Sequence, residues 1–268
     1  MAVHFDVSRK SAIALTIAGS DSGGGAGIQT DLKTFATLGV HGTCAITCLT
    51  AQNPVQVRGI EACTASMVSL QIEAVFAELH PGAVKTGMLY SKPIIEAVAE
   101  SLRSKRGQPL VVDPVMVATS GAPLLKPSAG KTLVRELLPL ATLITPNLQE
   151  TEALLSRTLK TVEDLRAAAR QLHERFGCAA LVKGGHLRGL RQAVDVLNDG
   201  RSEWLLTAPF IRGRPSHGTG CTYSAAITAY LARGVPLPKA VAKAKEFITR
   251  AIANSLRVGK HWVLNTTS

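Results

Sequence analysis

The sequence predicts an α/β fold with a mostly parallel sheet covered by helices on both faces. Three observations carry that reading. Short β-branched runs alternate with amphipathic stretches over most of the 268 residues, as in a chain of strand–helix units. Polar and glycine-rich residues follow strand after strand, at Gly19-Ser20-Asp21, Gln52-Asn53, Gly87-Met88, Asp113-Pro114, Pro146-Asn147 and Gly184-Gly185-His186, where an open α/β sheet binds its ligands. An apolar share of 46% against 18% charged residues supplies a large core and excludes a disordered chain. No repeat, linker or low-complexity stretch divides the chain, so 1–268 reads as one domain, with 1–10 as a flexible N-terminus.

The elements follow in order. The run 13–18 is a strand entering a glycine loop, and 26–38 is a helix. Strand 45–50 precedes helix 65–79, where Val68, Ile72, Val75, Phe76 and Leu79 keep the three- and four-residue spacing of a buried face. Strand 83–86 leads to helix 92–103, strand 110–113 to helix 128–138, and strand 142–145 to helices 148–155 and 162–176. After strand 179–183, strands 194–197 and 203–207 flank Asn198-Asp199-Gly200 and form a hairpin, because Asp-Gly supplies the positive φ of a tight turn. That hairpin is an antiparallel edge on the parallel sheet. Helices 220–232 and 239–258 complete the pattern.

Composition narrows the function. The formal charge is +11, but Lys and Arg are dispersed, clustering only at Arg103-Ser104-Lys105-Arg106 and Arg212-Gly213-Arg214. No zinc finger or aromatic RNA-binding signature accompanies them, so a nucleic-acid partner is not expected. No apolar stretch approaches the ~20 residues of a membrane span, and segment 12–18 is too short and too β-branched for a secretory signal. Five scattered cysteines (Cys44, Cys48, Cys63, Cys178, Cys221) argue against a disulfide framework. The expected compartment is the cytoplasm.

The most informative motif is Gly218-Thr219-Gly220-Cys221, set before a long apolar helix. Its amides sit at a helix N-terminus, which attracts a phosphate or a developing anion. Cys221 lies in the field that lowers a thiol pKa. The loop Gly23-Gly24-Gly25-Ala26-Gly27 lacks the G-x-G-x-x-G order of a dinucleotide site and suits close backbone approach to a small ligand. Gly130-Lys131-Thr132 resembles the end of a P-loop, but Leu125 stands where its first glycine belongs. Asp113, with Asn147 and Glu150 three residues apart, offers hard oxygen ligands for Mg²⁺ beside a triphosphate. The same pair is equally a helix capping box. Lys183 brings a cation to a strand end.

The segments LTIAGSDSGGGAGIQTDLKTF, ITCLTAQN, VKTGML, VVDPVM, LITPNLQE, LVKGGH and HGTGCTYSAAI, in that order, resemble the ribokinase-like superfamily. Within it, the chain is similar to the hydroxymethylpyrimidine/phosphomethylpyrimidine kinases of thiamin biosynthesis. The resemblance implies a three-layer α/β sandwich, ATP with Mg²⁺, and phosphorylation of 4-amino-5-hydroxymethyl-2-methylpyrimidine and then of its monophosphate. It implies that Gln52 reads the pyrimidine, that Ala26, Asp31, Met88 and Val115 line its pocket, and that Asp113 and Glu150 form the metal–phosphate shell. Lys183 matches the nucleotide side, Cys221 the acceptor of the hydroxyl proton, and Gly218, Thr219 and Gly220 the anion hole. A homodimer is the family's habit. Where the family ends in a GKG-x-GP-like tail, this chain reads Val258-Gly259-Lys260-His261-Trp262. The alternatives are a pyridoxal kinase on the same scaffold and, from the residues alone, a cysteine hydrolase with Cys221 as nucleophile.

Overall fold

The computed structural model describes residues 11–267 apart from 106, 119, 186, 188, 189, 212 and 214–216. The segment 1–10, Arg106, His186, Arg212 and Arg214, all named above, lie outside the described residues.

Nine strands form one sheet. β1 (Ala12–Asp21) lies inside it, flanked in parallel by β2 (Val40–Gln52) and β4 (Ala83–Thr86). β5 (Leu110–Val112), β6 (Leu143–Ile144) and β7 (Ala179–Lys183) continue in parallel from β4. Both ends turn antiparallel. β3 (Val57–Ala62) pairs with β2 at one edge, and β8 (Gln192–Asn198) and β9 (Glu203–Pro209) extend the other. The β8–β9 hairpin turns at Asp199-Gly200, with Gly200 at φ 84°. The β3 edge is an addition to the sequence reading: Arg58, Gly59 and Glu61 hide a half-exposed strand whose polar and apolar residues do not alternate cleanly.

Both faces are covered because alternate strand residues are apolar on each side. Val84, Val112, Ile144, Ala180 and Val182 pack under α2 (Ala65–Glu78), α3 (Lys92–Arg103) and α6 (Val162–Phe176). Their neighbours Ala83, Val111, Leu143, Ala179 and Leu181 pack under α7 (Thr219–Ala232) and α8 (Leu237–Ala253). α1 (Gly27–Thr37) joins that second layer through Phe35 against Ala225 and Ala229. Helix boundaries follow local chemistry. α5 (Leu148–Leu155) opens on an Asn147/Glu150 capping box, and α6 opens on Thr161/Asp164 and stops at left-handed Gly177.

Two helices depart from expectation. The stretch 128–138 is not one α-helix: a 3-10 turn leads into a short α4 (Gly130–Thr132), a π turn over Leu133–Leu137 and a further 3-10 turn ending at Leu140. Pro127 and Pro139 bracket it, and a proline inside a helix removes a donor and clashes with the preceding turn. The P-loop likeness at Gly130 therefore follows a turn and not a strand. The helix expected over 239–258 stops at Ala253. Beyond it β10 (Leu256–Val258) pairs with β11 (His261–Val263) around Gly259, whose φ of 58° closes the hairpin.

Candidate active site

The site gathers at the carboxyl ends of the parallel strands. β1 bulges between Ala18 and Ser20 and delivers Asp21 to the glycine loop. The Asp21 carboxylate accepts the N–H groups of Gly23 at 2.8 Å, Ala26 at 2.9 Å and Gly25 at 3.1 Å, so the loop wraps around it. His217 Nε2 lies 3.4 Å from Asp21 Oδ2. Burial pushes the Asp21 carboxyl up, but His217 and the loop amides outweigh it and hold the group below its ordinary value. A Cβ on Gly218 would overlap the Gly25 carbonyl, and Gly218 itself sits at φ 79°. Glycine is required there because the two glycine-rich segments touch backbone to backbone.

Between these segments lies a cavity lined by Gly19 and Asp21 at the end of β1, Ala26 and Gly27 at the start of α1, Thr50 and Gln52 from the end of β2, Lys85 of β4, and Gly87 and Met88 just beyond it. Val115, Leu124 and Cys221 complete the lining. Of the residues expected around the substrate, the fold therefore brings Gln52, Ala26, Met88, Val115 and Cys221 together. Asp31 is the exception. It does not line the cavity; its side chain is wholly buried beneath it, bonded to Lys85 Nζ at 2.7 Å and Thr16 Oγ1 at 2.6 Å. Burial raises the Asp31 pKa, with the Lys85 ammonium acting against that rise. Burial works against the Lys85 charge, but the carboxylates of Asp31 and Asp113 overcome it and Lys85 holds its proton.

The first turn of α7 forms the neighbouring corner. Gly218 caps it in left-handed conformation with no side-chain cap. Among the described residues, none accepts from the N–H groups of Gly218, Thr219, Gly220 or Cys221, as an anion site requires. Lys183 Nζ stands 3.3 Å from where a Gly220 Cβ would be. Its ammonium pairs with Asp113 Oδ1 at 2.9 Å; Thr145 Oγ1 donates to the same carboxylate at 3.2 Å and Ser224 Oγ at 3.3 Å. Burial works against the Asp113 charge, yet Lys183 and Lys85 keep it below the usual range. Asn147 and Glu150 form the capping box: Glu150 Oε2 accepts from the Asn147 N–H at 2.7 Å, and Asn147 Oδ1 from the Glu150 N–H at 2.9 Å. Glu150 is pushed up to about 7 by burial and by the Asp113 charge, with Lys183 opposing.

One electrostatic expectation is overturned. Cys221 is not acidified at rest; burial pushes its thiol up to about 11, and the nearby carboxylates of Asp31 and Asp113 add to the rise. Lys85 and the Gly27 N–H work the other way without overcoming it. The helix end helps a thiolate only where the sulfur is also hydrated enough to carry charge. The hydrolase reading weakens with it. An acidic partner for His217 does exist, Asp21, but no bond among the described residues carries the ring to the Cys221 sulfur.

Sequence reasoning put Asp21 at a ligand-binding strand end without giving it a role, and gave none to Lys85, His217 or Ser224 in this site. Lys85 left a signal: a lysine in the middle of the four-residue buried strand Ala83–Thr86 is almost never buried without a partner.

Comparison with known proteins places this geometry. The phosphomethylpyrimidine kinase family profile matches residues 21–265. The hydroxymethylpyrimidine/phosphomethylpyrimidine kinase of Rhizobium meliloti is 51% identical over 252 residues, covering 93% of this chain and 94% of that one. The thiamine biosynthesis bifunctional protein ThiED of Geobacter sulfurreducens is 46% identical over 92% of this chain, which spans 50% of that longer protein. The ADP complex of Bacillus subtilis pyridoxal kinase superposes with a TM-score of 0.87 at 38% identity, covering 96% of this chain and 98% of the other. The fold is that of these kinases, the chain is a phosphotransferase that uses ATP, and it belongs to the phosphomethylpyrimidine kinase family.

Proposed function

We propose that the chain transfers the γ-phosphoryl group of ATP to the hydroxymethyl oxygen of 4-amino-5-hydroxymethyl-2-methylpyrimidine, and then phosphorylates the monophosphate to the diphosphate, for thiamin synthesis. The observation that carries the reading is one cavity that unites the Gln52 amide with the Cys221 corner of α7. An amide offers a donor and an acceptor side by side, matching an amino group beside a ring nitrogen. Ala26, Met88 and Val115 supply apolar walls for the ring. Asp31 acts from below by holding Lys85.

Phosphoryl transfer depends mainly on positioning and charge neutralisation. The amides of Gly218, Thr219, Gly220 and Cys221 receive charge on the migrating group, and Lys183 neutralises phosphate oxygens. As the new O–P bond forms and the bond to ADP breaks, the hydroxyl proton passes to the Cys221 sulfur in its thiolate form. From a thiol near 11, reaching that form at pH 7 costs about 5 kcal/mol. The anion hole therefore contributes more than the base, the opposing effect of Lys85 being already contained in that value.

The residues fit Mg²⁺. No group of three or more metal-binding side chains occurs among the described residues, but Mg²⁺ at a nucleotide needs only one or two carboxylates plus phosphates and water. Asp113 and Glu150 are buried, and the Asp113 charge raises the proton affinity of Glu150, a repulsion that a dication relieves. Asp113 and Glu150 would hold it directly or through water, with Asn147 orienting Glu150; bound there, the ion would neutralise charge on the phosphates.

The chain works as a homodimer in the cytoplasm in this reading. Leu49 and Val55 are exposed beside the edge strand β3, and all five cysteines are free thiols, as in a reducing compartment. No described helix is long and apolar enough to cross a membrane. The likeness to a pyridoxal kinase supports a second reading, in which pyridoxal is the accepted alcohol. Phosphorus NMR of the products tests the first: with Mg-ATP and the aminopyrimidine alcohol, a monoester signal should appear and then give way to a diphosphate. Unchanged ATP over the same period would exclude it.

A further inference from the structure

We infer that Lys245 and Asp195 form a positioning pair for the phosphate end of the site, fixing through the Gly184 N–H where the Lys183 ammonium stands against the first turn of α7. The inference rests on reading the Lys183–Gly220 corner as that end, as proposed above.

Asp195 lies on β8 directly across from Lys183 in the β7–β8 register. Its Oδ1 accepts the Gly184 N–H at 3.0 Å, and its Oδ2 meets Lys245 Nζ, from the middle of α8, at 2.6 Å. Both side chains are buried. Gly184 follows the last residue of β7 and leaves no room for a side chain: a Cβ there would overlap the Val194 carbonyl and the Leu165 side chain. Lys183 is thus held twice, its ammonium by Asp113 and its backbone neighbour by Asp195. Tyr223 of α7, two residues after Cys221, feels the charge of the same carboxylate, though its buried hydroxyl makes no hydrogen bond to it. One carboxylate therefore bonds both the end of β7 and the middle of α8, the helix packed against α7.

Stability alone does not account for such a pair. Taking two charges out of water costs several kcal/mol per ion, and apolar replacements of buried pairs are often neutral or stabilising. What the pair adds is direction: a charged acceptor aimed at one backbone N–H beside the phosphate-binding cation.

The test compares Lys245→Met, Asp195→Asn, Lys245→Arg and the double variant Asp195→Asn/Lys245→Met, with Lys183→Met as a control. Each is assayed for Tm, kcat, KM for ATP and KM for the alcohol. The single variants Lys245→Met and Asp195→Asn should raise KM for ATP roughly ten-fold while KM for the alcohol stays within about two-fold. They should also lower Tm, because each leaves a buried group unpaired. The double variant should regain Tm and keep the raised KM for ATP, and Lys245→Arg should restore it. The inference is overturned if the double variant binds ATP like the parent, or if both KM values move together with Tm. Lys183→Met with an unchanged KM for ATP would overturn the reading of the corner itself. A raised value there beside normal Lys245 and Asp195 variants would overturn only the positioning pair.

Discussion

Lys85 Nζ stands 2.7 Å from Asp31 Oδ2, and neither side chain has exposed surface. This buried pair forms the floor of the cavity between Gln52 and Cys221, since Lys85 lines it while Asp31 lies below. Removing one partner strands the other charge. Lys85→Met should lower unfolding free energy by about 3–5 kcal/mol, measured by urea titration. Lys85→Met combined with Asp31→Leu should recover much of that stability without recovering turnover. Full turnover in the folded double variant would show that the pair is structural only.

Cys221 makes a separable prediction. Its thiol is neutral at pH 7, being pushed up to about 11, so a mechanism that uses the thiolate should speed up with pH. The logarithm of kcat should climb between pH 7 and 9 in the parent. In Cys221→Ala it should be flat and lower by about a hundred-fold or more, with KM for ATP little changed. A parent profile equally flat would remove the sulfur from proton transfer.

The Asp21 carboxylate should be needed for the glycine loop at neutral pH and not in acid. Its folded value lies below the ordinary 3.8, so its contribution is present above 3.8 and is lost as pH falls through the lower, folded value. Asp21→Asn should cost about 1–3 kcal/mol at pH 7 and raise KM for the alcohol. The stability gap between parent and variant should close in acid, as followed by urea unfolding at stepped pH. A gap that widened in acid would contradict the assignment.

Gly218→Ala tests the contact between the two glycine segments. A Cβ there overlaps the Gly25 carbonyl, and its φ of 79° is strained for any residue with a side chain. The variant should lose most activity while keeping its far-UV circular dichroism, because the displacement is local to the mouth of α7. A variant with normal kcat would show that the segments need not touch.

Much of this was legible in the sequence, for physical reasons. Helices 92–103, 148–155 and 162–176 and strands 83–86 and 179–183 coincide with observed elements. Their faces repeat cleanly, and Asn147, Thr161 and Gly177 mark three of the helix ends. β3 escaped because an exposed edge needs no apolar alternation. The tail after Ala253 escaped because Leu256, Val258 and Val263 continue an apolar rhythm that the Gly259 turn breaks. In the site, residue types and strand ends identified Gln52, Met88, Val115 and Cys221 as neighbours. Burial was not legible: it moves Asp31 beneath the cavity, brings Lys85 into it and reverses the expected direction for the Cys221 thiol.

The most direct test of the central claim is the ratio of kcat/KM for the aminopyrimidine alcohol to that for pyridoxal, measured with Mg-ATP in the parent and in Gln52→Ala. The account predicts a parent ratio well above one that falls by roughly ten-fold or more in the variant, mostly through KM for the pyrimidine. A parent ratio below one, or a ratio indifferent to Gln52, would contradict it.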